Sequence, residues 1–257
     1  MTSPYEGLSI EQWKSKTQEL IENHPLHLEV IREIALKSWD ILWQTTIGEG
    51  ELAIPLYSLD VPAMVVGYFF EKLFAKELQK REPQLWRGGV SKEEKDLVYI
   101  SDQLYSIEIK TSGQLGLKIF GNRSYGKPVE NPDLAKKEKS GYYIKEKSGY
   151  YITVNFYDRI INLIRFGWID HSDWKAQSSE SGQSAGLSEE IYTYKLIPIA
   201  GEYRLNTPVT LLKGIGGKTA KIFEDEGIKT VRELENYQGV NKKLLKFKQK
   251  LEDLELS

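Results

Sequence analysis

Apolar positions recur at helical spacing through roughly the first 80 residues and then switch to alternation. Residues 8–23 suit an amphipathic helix with Ser9 as N-cap, closed by Pro25. A second helix over 27–43 puts Leu28, Val30, Ile31, Ile34 and Leu36 on one side with Trp39 and Leu42. A third, over 61–80, has Asp60 as N-cap and Pro62 in its first turn, and its run from Pro62 to Phe70 is apolar enough to be buried. Residues 81–95 are polar, carry Gly88 and Gly89, and read as a connection. From Lys95 to Thr111 the period is two: Leu97, Tyr99, Tyr105, Ile107 and Ile109 on one face, Asp96, Ser106, Glu108 and Lys110 on the other. A hairpin with a three-residue loop, Ser101–Gln103, sets Ile100 against Leu104, Val98 against Ser106 and Asp96 against Glu108. Residues 115–120 predict a third, antiparallel strand; 150–156, 163–169 and 191–199 predict further strands, with a long polar loop over 170–188.

The chain has 257 residues, enough for one sizeable domain and a small one. It is 40% apolar and 28% charged, which argues against extensive disorder. Cysteine is absent and there are three histidines, so thiol chemistry and Cys/His zinc sites are excluded or disfavoured. Neither a basic-then-apolar leader nor an 18-residue apolar run occurs, which predicts a soluble cytoplasmic protein without membrane contact. The net charge of −2 requires any nucleic-acid surface to come from local basic patches.

The hairpin carries the candidate chemistry. Two carboxylates facing each other about 5 Å apart across a ladder offer hard oxygen donors of the kind Mg²⁺ takes. Lys110 then aims a point charge at whatever the metal holds. A solvated Glu–Lys pair on an exposed hairpin face accounts for the same residues more blandly. An Asp followed by Glu-x-Lys across a hairpin resembles the active site of the PD-(D/E)XK nuclease superfamily, with Lys95 where a proline is usual. The resemblance implies Mg²⁺ held by Asp96 and Glu108, with Lys110 positioning the attacking water and steadying the scissile phosphate. It also implies a glutamate on the preceding helix, which Glu71 matches.

Other stretches suggest DNA contacts. In Gly121–Pro128, Arg123 has the fork for guanine and Asn122 the amide for adenine, although a surface loop with Arg123 facing phosphate or solvent is the simpler account. Lys175, Gln177 and Gln183 in the 170–188 loop are further candidates for bases or phosphates. Residues 137–144 are repeated without change as 145–152; the second copy fits the core strand and the first a looped-out duplication. Gly214-Ile-Gly-Gly-Lys-Thr-Ala220 resembles the hairpin of a helix-hairpin-helix module, whose backbone N–H groups receive a DNA phosphate. There Gly214, Gly216 and Gly217 allow the tight turn, Ile215 plugs into a small core, and Lys218 with Thr219 opens the helix. A short first helix over 209–213 precedes it, and Lys242, Lys243, Lys246, Lys248 and Lys250 make the last helix basic.

Together these features resemble type II restriction endonucleases, most closely the ScaI-like family. The implied fold is α/β, a PD-(D/E)XK restriction-endonuclease-like mixed sheet flanked by helices, plus a small all-α helix-hairpin-helix domain. The division is 1–48 (N-terminal helices for core or dimer packing), 49–203 (nuclease core) and 204–257 (DNA-binding domain). The implied activity is Mg²⁺-dependent cleavage of both strands of a short palindrome in double-stranded DNA, leaving 5′-phosphates, by a homodimer paired with a cognate DNA methyltransferase. A structure-selective repair nuclease also joins such a core to this kind of module, but the Glu-Arg-Lys signature of that group is missing. A non-catalytic DNA-binding protein is the third reading.

Overall fold

Helix α1 (Ile10–Glu22) begins at Ser9, whose N–H donates to the Gln12 side chain at 2.9 Å. Helix α2 spans Leu28–Gln44 and buries Ile31, Ile34, Ala35, Trp39 and Leu42. Helix α3 (Ala63–Arg81) starts at Pro62 rather than Asp60. The reason is local: a residue before proline is held out of the helical region, so Pro62 O is the first acceptor, taking N–H from Val65 and Val66 at 2.9 and 3.1 Å. The chain is seen in a computed structural model, which describes residues 2–91, 93–126, 147–176, 184–212 and 214–252.

The helices cover one face of a mixed sheet. Its strands are β1 (Trp86–Gly88), β2 (Leu97–Tyr99), β3 (Ile107–Ser112), β4 (Gly149–Tyr157), β5 (Ile160–Ile169) and β6 (Leu196–Pro198), in spatial order β6-β5-β4-β3-β2-β1. Every neighbouring pair is antiparallel except β3 and β4, which run parallel with Glu108 beside Tyr151 and Lys110 beside Thr153. A parallel pair needs a long crossover. Residues 113–148 supply it.

Four expectations change here. Strand β1 lies inside the stretch read as a connection, with Trp86 1% exposed. Its single apolar anchor is too little for a periodicity signal. Residues 115–120 alternate like a strand but do not form one: Gly116 and Leu117 have φ of +93° and +56°. Buried side chains take up that segment's backbone instead. Asn155 Nδ2 donates to Lys118 O (2.9 Å), Arg165 to Leu117 O (3.2 Å), and Ile119 N–H donates to the Tyr192 hydroxyl (2.9 Å). The third hairpin-side strand is therefore β4, which contains the expected 150–156 strand; the first repeat copy lies outside the described residues. Finally, 191–199 is a π-helical turn (Ile191–Lys195) followed by β6, and β5 begins at Ile160, earlier than expected, because Asp158 (φ +52°) makes the β4–β5 turn tight.

The alternation divides two cores. Ile107, Ile109, Tyr150, Ile152, Val154 and Phe166 face the helices. Tyr151, Ile169 and Leu196 face the other way, against Tyr125, Trp174 and Ala185. That second face is covered by a small three-stranded sheet of Gly121–Asn122, Ser184–Gly186 and Lys175–Ala176. The last fifty residues have their own core: Val209, Phe223, Ile228, Val231, Leu234, Leu244 and Leu251, from α4 (Gly217–Asp225), α5 (Val231–Glu235), α6 (Lys242–Glu252) and the turn before them. Among the described residues no helix is long and apolar enough to cross a membrane.

Candidate active site

Leu97 pairs with Ile107, the register that sets Asp96 opposite Glu108. The loop is longer than expected. Strands end at Tyr99 and Ile107, and a 3₁₀ turn over Gln103–Tyr105 fills the span. Asp102 accepts Leu104 N–H (2.9 Å) and Ser106 Oγ accepts Tyr99 N–H (3.2 Å), so two side chains hold the register that a tight turn was expected to fix. Beyond Leu97 the ladder opens, and the Asp96 carboxylate enters the gap: its Oδ2 accepts Ile109 N–H at 2.8 Å.

Glu108 Oε1 accepts two charge-assisted bonds, from Lys110 Nζ and from the Tyr125 hydroxyl, both at 2.7 Å. Lys110 Nζ also donates to Ile109 O at 3.0 Å. Glu71 comes from α3. Its approach depends on Gly67 one turn earlier: a Cβ there would lie 2.2 Å from Thr111 Oγ1, so only glycine lets α3 close on β3. Glu71, Gly67 and Tyr68 then share with Lys110 and Gln114 a cleft of about 380 Å³.

The charges of this cluster act on one another. Burial raises the Glu71 carboxyl to about 8, reinforced by the Asp96 charge. Asp96 is likewise raised by burial and by Glu108. Burial would also raise Glu108, but the Lys110 ammonium, together with hydrogen bonds from Lys110 and Tyr125, holds it at about 2. Burial weakens the Lys110 ammonium, but Glu108, Asp96 and Glu71 outweigh it and keep it firmly protonated. Lys110 is therefore a fixed cation and not a base.

Among the described residues no three His, Cys, Asp or Glu side chains already converge as a metal cage. The donor chemistry nonetheless fits a hard divalent cation: three carboxylates, with no sulfur or imidazole among them, Glu71 raised in part by the Asp96 charge and Asp96 in part by that of Glu108.

The remaining candidates fall elsewhere. Asn122 is exposed on the small sheet, its Oδ1 accepting from Ser124 N–H (3.0 Å) and Ser124 Oγ (2.5 Å), which leaves its Nδ2 as donor. Arg123 opens the turn that follows. Lys175 is exposed on the opposite edge strand of that sheet and donates to Ser172 O at 2.8 Å. Gln177 and Gln183 lie outside the described residues. In the tail Gly214 has φ +89°, Gly216 caps α4, and Gly217, Lys218 and Thr219 form its first turn, with Lys218 exposed and Thr219 buried. Open space surrounds all three glycines, and Ile215 packs against the tail's core. The preceding segment is a 3₁₀ turn, Val209–Leu211, in place of a short helix.

Tyr125 went unread in the sequence. Its position four residues past Gly121, the only aromatic in an otherwise polar loop, was the available signal. Lys95 and Lys147 were also missed: they stand over the Tyr151 and Tyr125 rings at 5.1 and 4.5 Å from the centroids.

The ScaI restriction endonuclease family model matches residues 3–145 and 144–200, the two pieces meeting inside the tandem repeat. The type II restriction enzyme ScaI of Streptomyces caespitosus is 37% identical over 197 residues, covering 77% of this chain and 84% of that enzyme. No solved structure matches. With the hairpin, its acidic cluster and the helical face all inside the matched span, the chain belongs to the ScaI restriction endonuclease family.

Proposed function

We propose that this protein is a Mg²⁺-dependent type II endodeoxyribonuclease that hydrolyses both strands of a short palindromic duplex site and leaves 5′-phosphates. The observation that carries the reading is the meeting of Asp96, Glu108 and Lys110 at the opening of the β2–β3 ladder, in a chain of a restriction endonuclease family. Asp96 and Glu108, with Glu71 beside them, would hold the metal. When bound, it supplies concentrated positive charge at the phosphate and acidifies water.

The chain's own residues supply the rest. Lys110, held protonated between Glu108 and the Ile109 carbonyl, presents fixed positive charge where the scissile phosphate gains negative charge. Ile109 N–H fixes Asp96, so that carboxylate needs little reorganisation. In the reaction a water oxygen forms a bond to phosphorus and the P–O3′ bond breaks, the leaving oxygen taking a proton to give a 3′-hydroxyl.

A homodimer suits a palindrome, since two-fold protein symmetry matches two half-sites. Beside the cleft, Met64, Tyr68 and Phe69 are exposed by 83%, 59% and 46%, an apolar stripe of the kind subunit contacts use. The glycine turn at 214–217 resembles a helix-hairpin-helix phosphate site and would grip the flanking backbone, making 204–257 a DNA-binding unit. Asn122 and Lys175 on the small sheet and Arg123 in the turn after Asn122 are the base-reading candidates, with Gln177 and Gln183 alongside in sequence. A cognate methyltransferase and a cytoplasmic location follow from the restriction role.

The test is plasmid digestion with Mg²⁺. Discrete double-strand fragments from the wild type and none from Asp96→Ala support the reading. Random nicking, or cleavage by Asp96→Ala at the wild-type rate, rejects it.

A further inference from the structure

One side chain ties the small sheet to the acidic cluster. Tyr125 stands in the turn Arg123–Gly126 that follows Asn122, and its hydroxyl donates to Glu108 Oε1 at 2.7 Å. It is 3% exposed and its ring is fixed on two sides. Trp174 meets it edge-on at 4.8 Å, and a Cβ on Gly121 would lie 2.5 Å from its Cγ. Trp174 immediately precedes the short strand Lys175–Ala176. The turn itself is held by Asn122 Oδ1, which takes both the Ser124 N–H and hydroxyl. A rigid path thus runs from Asn122, through Ser124 and the Tyr125 ring, to a carboxylate oxygen of the site.

That oxygen is shared. Lys110 also donates to Glu108 Oε1, so this one oxygen accepts from both side chains at 2.7 Å. With donors on Oε1 from two different elements, Lys110 on β3 and Tyr125 on the turn, Glu108 keeps one orientation. Without the hydroxyl, the 2.7 Å ion pair with Lys110 would remain, but the carboxylate would lose the second contact that fixes its rotation.

We propose that Tyr125 is a positioning residue: it transmits the seating of the 121–126 turn on DNA to Glu108, so that site recognition and catalytic alignment are coupled. The inference rests on the acidic cluster being the cleavage site, and the experiment separates the two. Tyr125→Phe removes only the hydroxyl and keeps the packing against Trp174. Single-turnover cleavage at saturating DNA should fall about 10–100-fold, the range seen when a positioning hydrogen bond is removed, while duplex affinity without divalent metal stays within about two-fold. The ratio of cognate to one-mismatch cleavage should shrink, because the cognate rate loses more. Calorimetric titration of the DNA-free protein with Mg²⁺ should show several-fold weaker binding. Ser124→Ala, which touches neither Glu108 nor the cleft, should give a smaller loss in the same direction and covers the case of Tyr125→Phe folding poorly.

A merely structural tyrosine lowers the unfolding midpoint and leaves rate at saturation, mismatch ratio and Mg²⁺ affinity at wild-type values. That result overturns the proposal. If Asp96→Ala is dead while Tyr125→Phe behaves as wild type, the coupling fails and the site stands. If Asp96→Ala cuts normally, the site itself is wrong and the coupling goes with it.

Discussion

His24 shows how much one buried side chain decides. It is 1% exposed, accepts Leu26 N–H on Nδ1 (3.0 Å) and reaches Tyr105 O through Nε2 (3.1 Å), so the neutral ring with the proton on Nε2 satisfies both partners. Tyr150 and Phe166 crowd it edge-on at 4.3 and 4.9 Å. Burial lowers its pKa to about 4, against an ordinary value near 6.5. The unfolded chain therefore binds the proton first. Stability is full above pH 6.5 and falls as pH drops from 6.5 to 4, by about 3 kcal/mol at most. Urea melts at pH 7 and pH 4.5 should differ accordingly, and His24→Phe should flatten that part of the profile. Lys110 makes the complementary case, a charge that must remain. Lys110→Met keeps most of the volume and removes the cation, so single-turnover cleavage should drop by about 10²–10³ with duplex affinity little changed, as for a missing transition-state donor. Equal losses in both would mean that it only binds DNA.

At the level of elements, the packing of α3 on β3 governs the geometry. Gly→Ala in a helix interior ordinarily stabilises by about 1 kcal/mol. At Gly67 the new methyl would meet Thr111 Oγ1 at 2.2 Å, a clash inside a packed layer. Gly67→Ala should therefore destabilise by roughly 1–3 kcal/mol and cut activity by pushing Glu71 from Lys110. Thr111→Ala in the same chain should recover much of both, as read by denaturant melts and cleavage rate. The apolar run from Pro62 to Phe70 made this helix legible from sequence, as the two-residue period made Asp96, Glu108 and Lys110 share a face. The hairpin register was legible too, because one slip would bury charges. What sequence could not carry was long-range partnering. Residues 115–120 alternate convincingly, yet Asn155, Arg165 and Tyr192 claim their backbone, and no local pattern records that. Strand β1 was hidden for the opposite reason, being three residues held by one tryptophan and by pairing with β2. Tyr125 was missed because its partner lies 17 residues away on another element.

The whole molecule faces an electrostatic problem: a chain of net charge −2, with an acidic cluster at its centre, must hold a polyanion. Within the family-matched span the cations near the cluster, Lys110 above all, are turned inward by carboxylates and aromatic rings. Residues 201–257 lie beyond that span, and most of the lysines described there are exposed. Lys218 is exposed on the first turn of α4, beside three glycines with open space around them, and Lys242, Lys243, Lys246 and Lys250 are exposed on α6. In the proposed reading this region supplies affinity and the small sheet supplies sequence. Those two roles separate in a salt titration. Removing one lysine–phosphate pairing lowers the slope of log affinity against log salt by ~0.9, so Lys218→Ala should flatten it by about that amount per subunit. Contacts to phosphate position a duplex without reading it, so the fragment pattern on plasmid DNA should stay the same. An unchanged slope would remove the tail from the DNA interface. A changed cleavage pattern would give it a part in reading sequence, and the division of labour between tail and small sheet would have to be redrawn.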